Sequence, residues 1–216
     1  MKLQYEGLSD KALEMLGSDI DKFNNTWTSQ RSPRYAIHER IIRPELDLHH
    51  EDRLVEVCAG YGNHLPSYIG VDYRGIEPDE ARIGPAREMA EACRIHPSKI
   101  MCANVERIPI QSNDCNRVLC VNGLHEVKYP ETVLSEIDRI LVSRGKALIV
   151  ERMSACFESP EAQERLRRTP EYVPAWFERQ GYRTLKKTFL ATYHGESFDN
   201  SDSPLFRFWM LKAIKR

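Results

Sequence analysis

Short apolar runs and longer stretches of helical periodicity alternate through the middle of the chain. Arg53 to Cys58 (RLVEVC), Tyr73 to Glu77 (YRGIE), Lys99 to Ala103 (KIMCA), Arg117 to Val121 (RVLCV) and Lys146 to Val150 (KALIV) have the length and composition of buried strands. Between them, Pro78 to Arg94 places Ile83, Ala86, Met89, Ala90 and Cys93 on one helical face, and Pro130 to Val142 does the same with Val133, Leu134, Ile137, Ile140 and Leu141. This rhythm predicts a parallel sheet with crossover helices. Helices are also predicted near 8–22 and 32–43, over Ser159 to Arg168 and over Tyr172 to Gln180, the last closed by Gly181. Two final strand-like runs, Tyr182 to Tyr193 and Leu205 to Ile214, have no crossover helix between them and predict antiparallel pairing at one edge of the sheet.

Composition narrows the picture. The 216 residues are 41% hydrophobic and 29% charged, which is enough apolar material for one core without disulfides or a structural metal. One domain is expected over 1–216, divided into an N-terminal helical lid (1–51), a core (52–151) and a C-terminal part of helices and a strand pair (152–216). A net charge of -1 gives no overall field to attract nucleic acid or an anionic membrane, so nucleic acid is an unlikely partner. No run reaches the ~20 apolar residues that span a bilayer, and the expectation is a cytoplasmic protein. The six cysteines form no C-x-x-C pair and read as reduced thiols. His49-His50-Glu51-Asp52 is contiguous, so its side chains diverge and no metal site is expected. Arg165, Arg167, Arg168, Arg179, Arg183, Lys186 and Lys187 are interleaved with glutamates and read as a solvated face.

The segment Leu54 to Asn63 (LVEVCAGYGN) carries the chemistry. An acid, Glu56, lies inside the strand, and Gly60 and Gly62 open the turn to close backbone approach by a ligand. Position 65 is Leu, so the G-x-G-x-x-G pattern of nicotinamide sites fails. At the end of the next strand stands Glu77, where a carboxylate can hold two ribose hydroxyls.

The segments VEVCAGYGN, YRGIEPDEARIGPAREMAEA, CANVERIPIQSNDCNRVLCVNGLHEV and YPETVLSEIDRILVSRGKALIV resemble class I S-adenosylmethionine-dependent methyltransferases, from about residue 52 to 151. The resemblance implies a Rossmann-like, doubly wound, seven-stranded and mostly parallel α/β sheet with an antiparallel edge strand. It implies S-adenosyl-L-methionine as cofactor and S-adenosyl-L-homocysteine as product. By the same resemblance Glu56 is the acid of the first strand, and Ala59, Gly60 and Gly62 hold the methionine part of the cofactor. Glu77 binds the ribose, Pro78 lies beside the adenine, Asn104 and Val105 meet the adenine edge, and Asn122 stands where cofactor meets substrate. Four positions depart from the family: Cys58 replaces the first glycine of the loop, Asn104 replaces an acid, and Cys115-Asn116 replaces phenylalanine-aspartate.

Methyl transfer needs alignment and exclusion of water, and a base only where the acceptor must lose a proton. His125 and Glu126 are the candidates for that base, with His38 and His194 weaker. Trp27, Tyr35 and Tyr61 are candidate walls for an aromatic acceptor. A small-molecule acceptor is the first expectation. An RNA or protein methyltransferase, or a non-catalytic cofactor-binding partner of the same fold, remains open beside it.

Overall fold

The structure is a computed structural model and describes residues 42–62, 64–152, 159–190, 193–194, 197–198 and 208–216. The predicted lid helices lie outside these residues except for the end of the second, as do Trp27, Tyr35, His38 and the side chain of His194. The described chain begins with a short helix, α1 (Arg43–Leu46), and then enters β1 (Arg53–Val57). There follow β2 (Asp72–Glu77), α2 (Glu80–Ala92), β3 (Ile100–Cys102), β4 (Cys115–Val121), α3 (Pro130–Ile140), β5 (Leu141–Arg152) and α4 (Pro160–Arg179). The chain closes with β6 (Arg183–Leu190), a small hairpin of β7 (Tyr193–His194) and β8 (Ser197–Phe198), and β9 (Phe208–Ile214).

Seven strands form one sheet in the order β3-β2-β1-β4-β5-β9-β6. The first five pair in parallel, while β9 is antiparallel to both β5 and β6. The expected antiparallel pairing is therefore present, and the strand that runs opposite to the others lies one place in from the rim. The chain order reverses between β1 and β4, and the carboxyl ends of these strands frame the crevice where open α/β sheets take their ligands.

Both faces of the sheet are covered, which is why the strands read as continuous apolar runs. On one face Val55, Val57, Val118, Cys120 and Ile149 pack with Val133, Leu134 and Ile137 of α3 and Val173, Trp176 and Phe177 of α4. On the other, Leu54, Tyr73, Leu119, Leu148 and Met210 pack with Ile83, Ala86, Met89 and Ala90 of α2, the face that the periodicity predicted, and with Leu46 of α1.

One prediction fails instructively. The two helices expected over Ser159 to Gln180 are a single helix that runs through Pro170 and Pro174. Pro170 has no N–H to give to the carbonyl four residues earlier, Leu166 O. That carbonyl accepts instead from the Thr169 hydroxyl at 2.9 Å, and Thr169 Oγ1 in turn accepts from the buried Trp209 indole N–H at 3.1 Å. With both prolines buried against the sheet, tertiary packing holds a helix that local propensity would break. β5 likewise runs through Ser143-Arg144-Gly145, where Arg144 takes a φ of 63° and its N–H bonds to Lys215 O.

Replacing Thr169 with valine keeps the shape but leaves Leu166 O and the Trp209 N–H unpaired. Urea unfolding of Thr169→Val should show a loss of about 1–3 kcal/mol; an unchanged midpoint would mean that the helix does not depend on this relay.

Candidate functional site

The carboxyl end of β1 decides the geometry of the crevice. Cys58, Gly60 and Gly62 have φ of 61°, 60° and 76°, so the chain turns sharply out of the sheet at the residue where the strand stops. Gly60 has nothing within 4 Å of the place where a Cβ would stand, and its missing side chain therefore leaves the backbone open to the crevice. Gly62 is glycine for another reason: a Cβ there would lie 2.7 Å from Leu65 Cδ1 and 3.4 Å from the backbone of Ala86, which brings α2 close to the loop.

The loop is tied to β2. Ala59 N–H donates to Ile76 O at 3.0 Å, and Gly60 N–H donates to Glu77 Oε2 at 2.8 Å. The other carboxylate oxygen accepts from Asp79 N–H at 2.9 Å, at the start of α2. Burial raises the Glu77 pKa above its ordinary value, against the lowering pull of the Asp79 and Gly60 N–H bonds and of Arg82. Two backbone bonds leave lone pairs on the carboxylate, so it can accept from a further pair of donors.

Glu56, the acid of β1, lies under the same loop. Its carboxylate is buried beneath the loop, accepting from the Tyr73 hydroxyl at 2.7 Å and lying 2.5 Å from His64 Nδ1. Burial first, and the Glu56 charge second, raise Tyr73 well above the ordinary tyrosine value, so the phenol keeps its proton and is the donor. Gly75 makes the room, since a Cβ there would lie 2.8 Å from the Tyr73 hydroxyl oxygen. Glu56 thus braces the loop from below through Tyr73 and His64.

The remaining predicted residues surround the same edge. Pro78 is exposed beside Glu77, and Ala59 is buried at the base of the loop. Asn104, exposed past the end of β3, turns its side-chain oxygen to Glu106 N–H at 2.8 Å. The Val105 side chain is packed in the core. Asn122 has a φ of 52° at the end of β4 and its side-chain oxygen accepts from Arg152 N–H at 3.0 Å, so the side chain fastens β4 to β5.

The two candidate bases part company. His125 is fully buried, with Nδ1 2.7 Å from Glu151 Oε2 and Nε2 3.0 Å from Arg152 Nη2. Arginine only donates, so Nε2 accepts and Nδ1 carries the proton toward Glu151. With its accepting nitrogen turned to Arg152 and its other nitrogen to Glu151, His125 braces the loop after β4. Glu151 Oε1 also accepts from Leu124 N–H at 2.7 Å, and Arg165 Nε donates to His125 O at 2.7 Å. Glu126 is exposed on the rim, where its Oε2 lies 3.4 Å from Arg82 Nη1.

Arg82 was not foreseen. Its guanidinium spans the rim, 3.1 Å from Asp79 Oδ2, 3.8 Å from Glu77 Oε1 and 5.9 Å from the Tyr61 ring centroid. Burial pulls its pKa down, but Glu126, Glu77 and Asp79 outweigh this and leave it raised. Glu151 was also missed; its signal is a charge ending the apolar run of β5, as Glu77 ends β2. His49, His50 and Glu51 are exposed, with His50 Nε2 3.6 Å from Glu51 Oε1, while Asp52 is buried against Arg117.

Cys58 projects toward Gly123, where an added Cβ would lie 2.5 Å from Cys58 Cβ and 2.7 Å from its sulfur. Gly123→Ala should therefore lower stability by about 1–3 kcal/mol in urea unfolding. In a Cys58→Gly background most of that loss should vanish; additive effects would show that the two positions do not compete for space.

Residues 55–149 match the family described as a methyltransferase domain. A stretch of 50 residues is 42% identical to an uncharacterised protein of Methanocaldococcus jannaschii and spans 23% of this chain and 22% of that relative. Among solved structures, an S-adenosylmethionine-dependent methyltransferase of Aquifex aeolicus matches with a TM-score of 0.62 and 14% identity over 92% of this chain and 98% of its own. A geranyl diphosphate methyltransferase, solved with geranyl diphosphate and sinefungin, matches with a TM-score of 0.66 and 13% identity over 88% of this chain and 82% of its own. These structures are similar in fold.

Proposed function

We propose that this chain, whose residues 55–149 form a methyltransferase domain of the class I S-adenosylmethionine-dependent type, binds S-adenosyl-L-methionine and methylates a small-molecule acceptor. The observation that carries the reading is the junction of Glu77 with Gly60 N–H at 2.8 Å, at the carboxyl ends of β2 and β1, beside the reversal of strand order between β1 and β4. It sets a buried carboxylate acceptor beside open glycine backbone, which fits a ribose joined to a charged amino-acid tail.

When bound, the cofactor supplies a methyl group on a sulfonium, whose leaving sulfide needs no acid. The chain's residues hold and orient. Glu77 accepts the ribose hydroxyls, the loop Ala59-Gly60-Tyr61-Gly62 offers its backbone to the methionine part, and Pro78, Asn104 and Val105 bound the adenine. Asn122 ends β4 where the acceptor must approach. Glu126, the rim carboxylate, takes a proton from an acceptor that has one to lose, while His125 keeps the loop in place through Glu151 and Arg152.

Among the described residues no helix is long and apolar enough to cross a membrane. The arginine run is divided in use, with Arg165 turned inward to His125 O and Arg167 paired with Glu164 at 3.2 Å. This favours a small acceptor over a nucleic acid.

Calorimetric titration of ligand-free protein should show micromolar binding of S-adenosylmethionine and S-adenosylhomocysteine. Glu77→Ala should weaken both by about 1.5–3 kcal/mol through loss of a charged acceptor, and an unchanged affinity would remove the assignment. Acid should also weaken binding. Hydroxyls donate to the charged form of Glu77, whose pKa is raised by burial above the ordinary 4.5, so affinity should be lost as pH falls through that raised value. Glu77→Gln should abolish this acid limb, and a limb that persists would place the titrating group elsewhere.

A further inference from the structure

The departure of Cys58 from glycine brings a second thiol into play. Val57 pairs directly with Cys120 across β1 and β4, so Cys58 stands one position beyond Cys120's partner on a strand about 4.8 Å away. In an extended strand its side chain would face the opposite side of the sheet from Val57. The left-handed φ of 61° swings it back, and Cys58 packs against the same cluster that holds Cys120. The empty side of Gly123 receives both: the Cys58 and Cys120 sulfurs lie 2.7 and 3.2 Å from the point where its Cβ would stand. Both sulfurs therefore lie within 3.2 Å of one point beneath the crevice, where a small shift can bring them to bonding distance.

We propose that Cys58 and Cys120 form a dithiol pair that a hydroperoxide closes into a disulfide beneath the crevice, releasing the loop from Glu77. Cys58, the half-buried member, meets the oxidant first. Its sulfur takes the distal peroxide oxygen as the O–O bond breaks, giving a sulfenic acid and one water (from hydrogen peroxide). The Cys120 sulfur then attacks the Cys58 sulfur, the S–O bond breaks, and the hydroxide leaves as a second water with the Cys120 proton. Two thiols lose two electrons, the peroxide gains them, and a dithiol reductant reverses the change. Cys120 is fully buried and does not meet the oxidant before Cys58, and hydrogen bonding with Cys58, together with burial, raises its thiol well above the ordinary value. Drawing the sulfurs to bonding distance pulls Cys58 toward β4, and with it the Gly60 N–H that now meets Glu77. Cys93 and Cys115 are buried elsewhere and Cys102 is exposed at the end of β3, so the pair is distinct from them.

The effect on cofactor rests on the proposed function, whereas the cross-link does not, and the two are tested separately. The full chain is treated with hydrogen peroxide, alkylated, digested and analysed by mass spectrometry. A linked peptide joining Cys58 and Cys120, lost on dithiothreitol treatment and absent from Cys120→Ala, is the expected result. In that variant dimedone should label Cys58. Other pairings, or over-oxidation of Cys58 without a link, would overturn the proposal. Calorimetry on the same samples should show S-adenosylmethionine bound at least about tenfold more weakly by the oxidised protein, with reduction restoring it and Cys120→Ala unaffected by peroxide. A linked protein that binds the cofactor as well as the reduced one would overturn the release of the loop. Reduced protein that binds no S-adenosylmethionine would instead overturn the function, leaving the peptide result to decide the pair.

Discussion

Leaving β1, the chain must pass from a strand buried on both sides into a turn that opens to solvent, and it does so within five residues. The constraint is backbone geometry: three of those residues, Cys58, Gly60 and Gly62, take positive φ. A non-glycine residue in that region is strained by about 1–2 kcal/mol, so Cys58 is held there by what surrounds it. Gly123 gives its side chain room, Glu56 and Tyr73 support the turn from below, and Glu77 ties it to β2. Most of the site follows from satisfying this turn.

Two buried carboxylates solve the same problem on opposite sides of β1. Glu77 collects the N–H groups of Gly60 and Asp79, and Glu151 collects the N–H of Leu124 and the ring of His125. Each replaces lost strand hydrogen bonds where a chain leaves the sheet, since an unpaired buried N–H costs about as much as a lost bond. Both are buried, and the difference between them is their neighbours: Glu77 lies beside the open backbone of Gly60, while Glu151 is closed in by His125.

The edge strands and α4 show a different economy. β9 enters between β5 and β6 and carries Trp209 into the core, where its N–H anchors the Thr169 hydroxyl that takes the place of the Pro170 N–H. A helix with two internal prolines is thus held by a strand almost forty residues later in the chain. Local sequence reads as a break, and the long-range contact supplies the missing bond.

The sequence by itself determined the alternation of strands and helices, the buried faces of α2 and α3, and the positions of Gly60, Gly62 and Glu77, because periodicity and turn chemistry are local properties. It could also show Cys58 as a departure from glycine. The tertiary structure decided what those residues touch. It closed Glu56 beneath Tyr73 and His64, took the accepting nitrogen of His125, brought Arg82 across the rim, and set Cys58 against Cys120 and Gly123. Each of these depends on strands that lie far apart in the chain but about 5 Å apart in the sheet. Whether a carboxylate or imidazole is free or committed is fixed by those neighbours, and a single segment does not contain them.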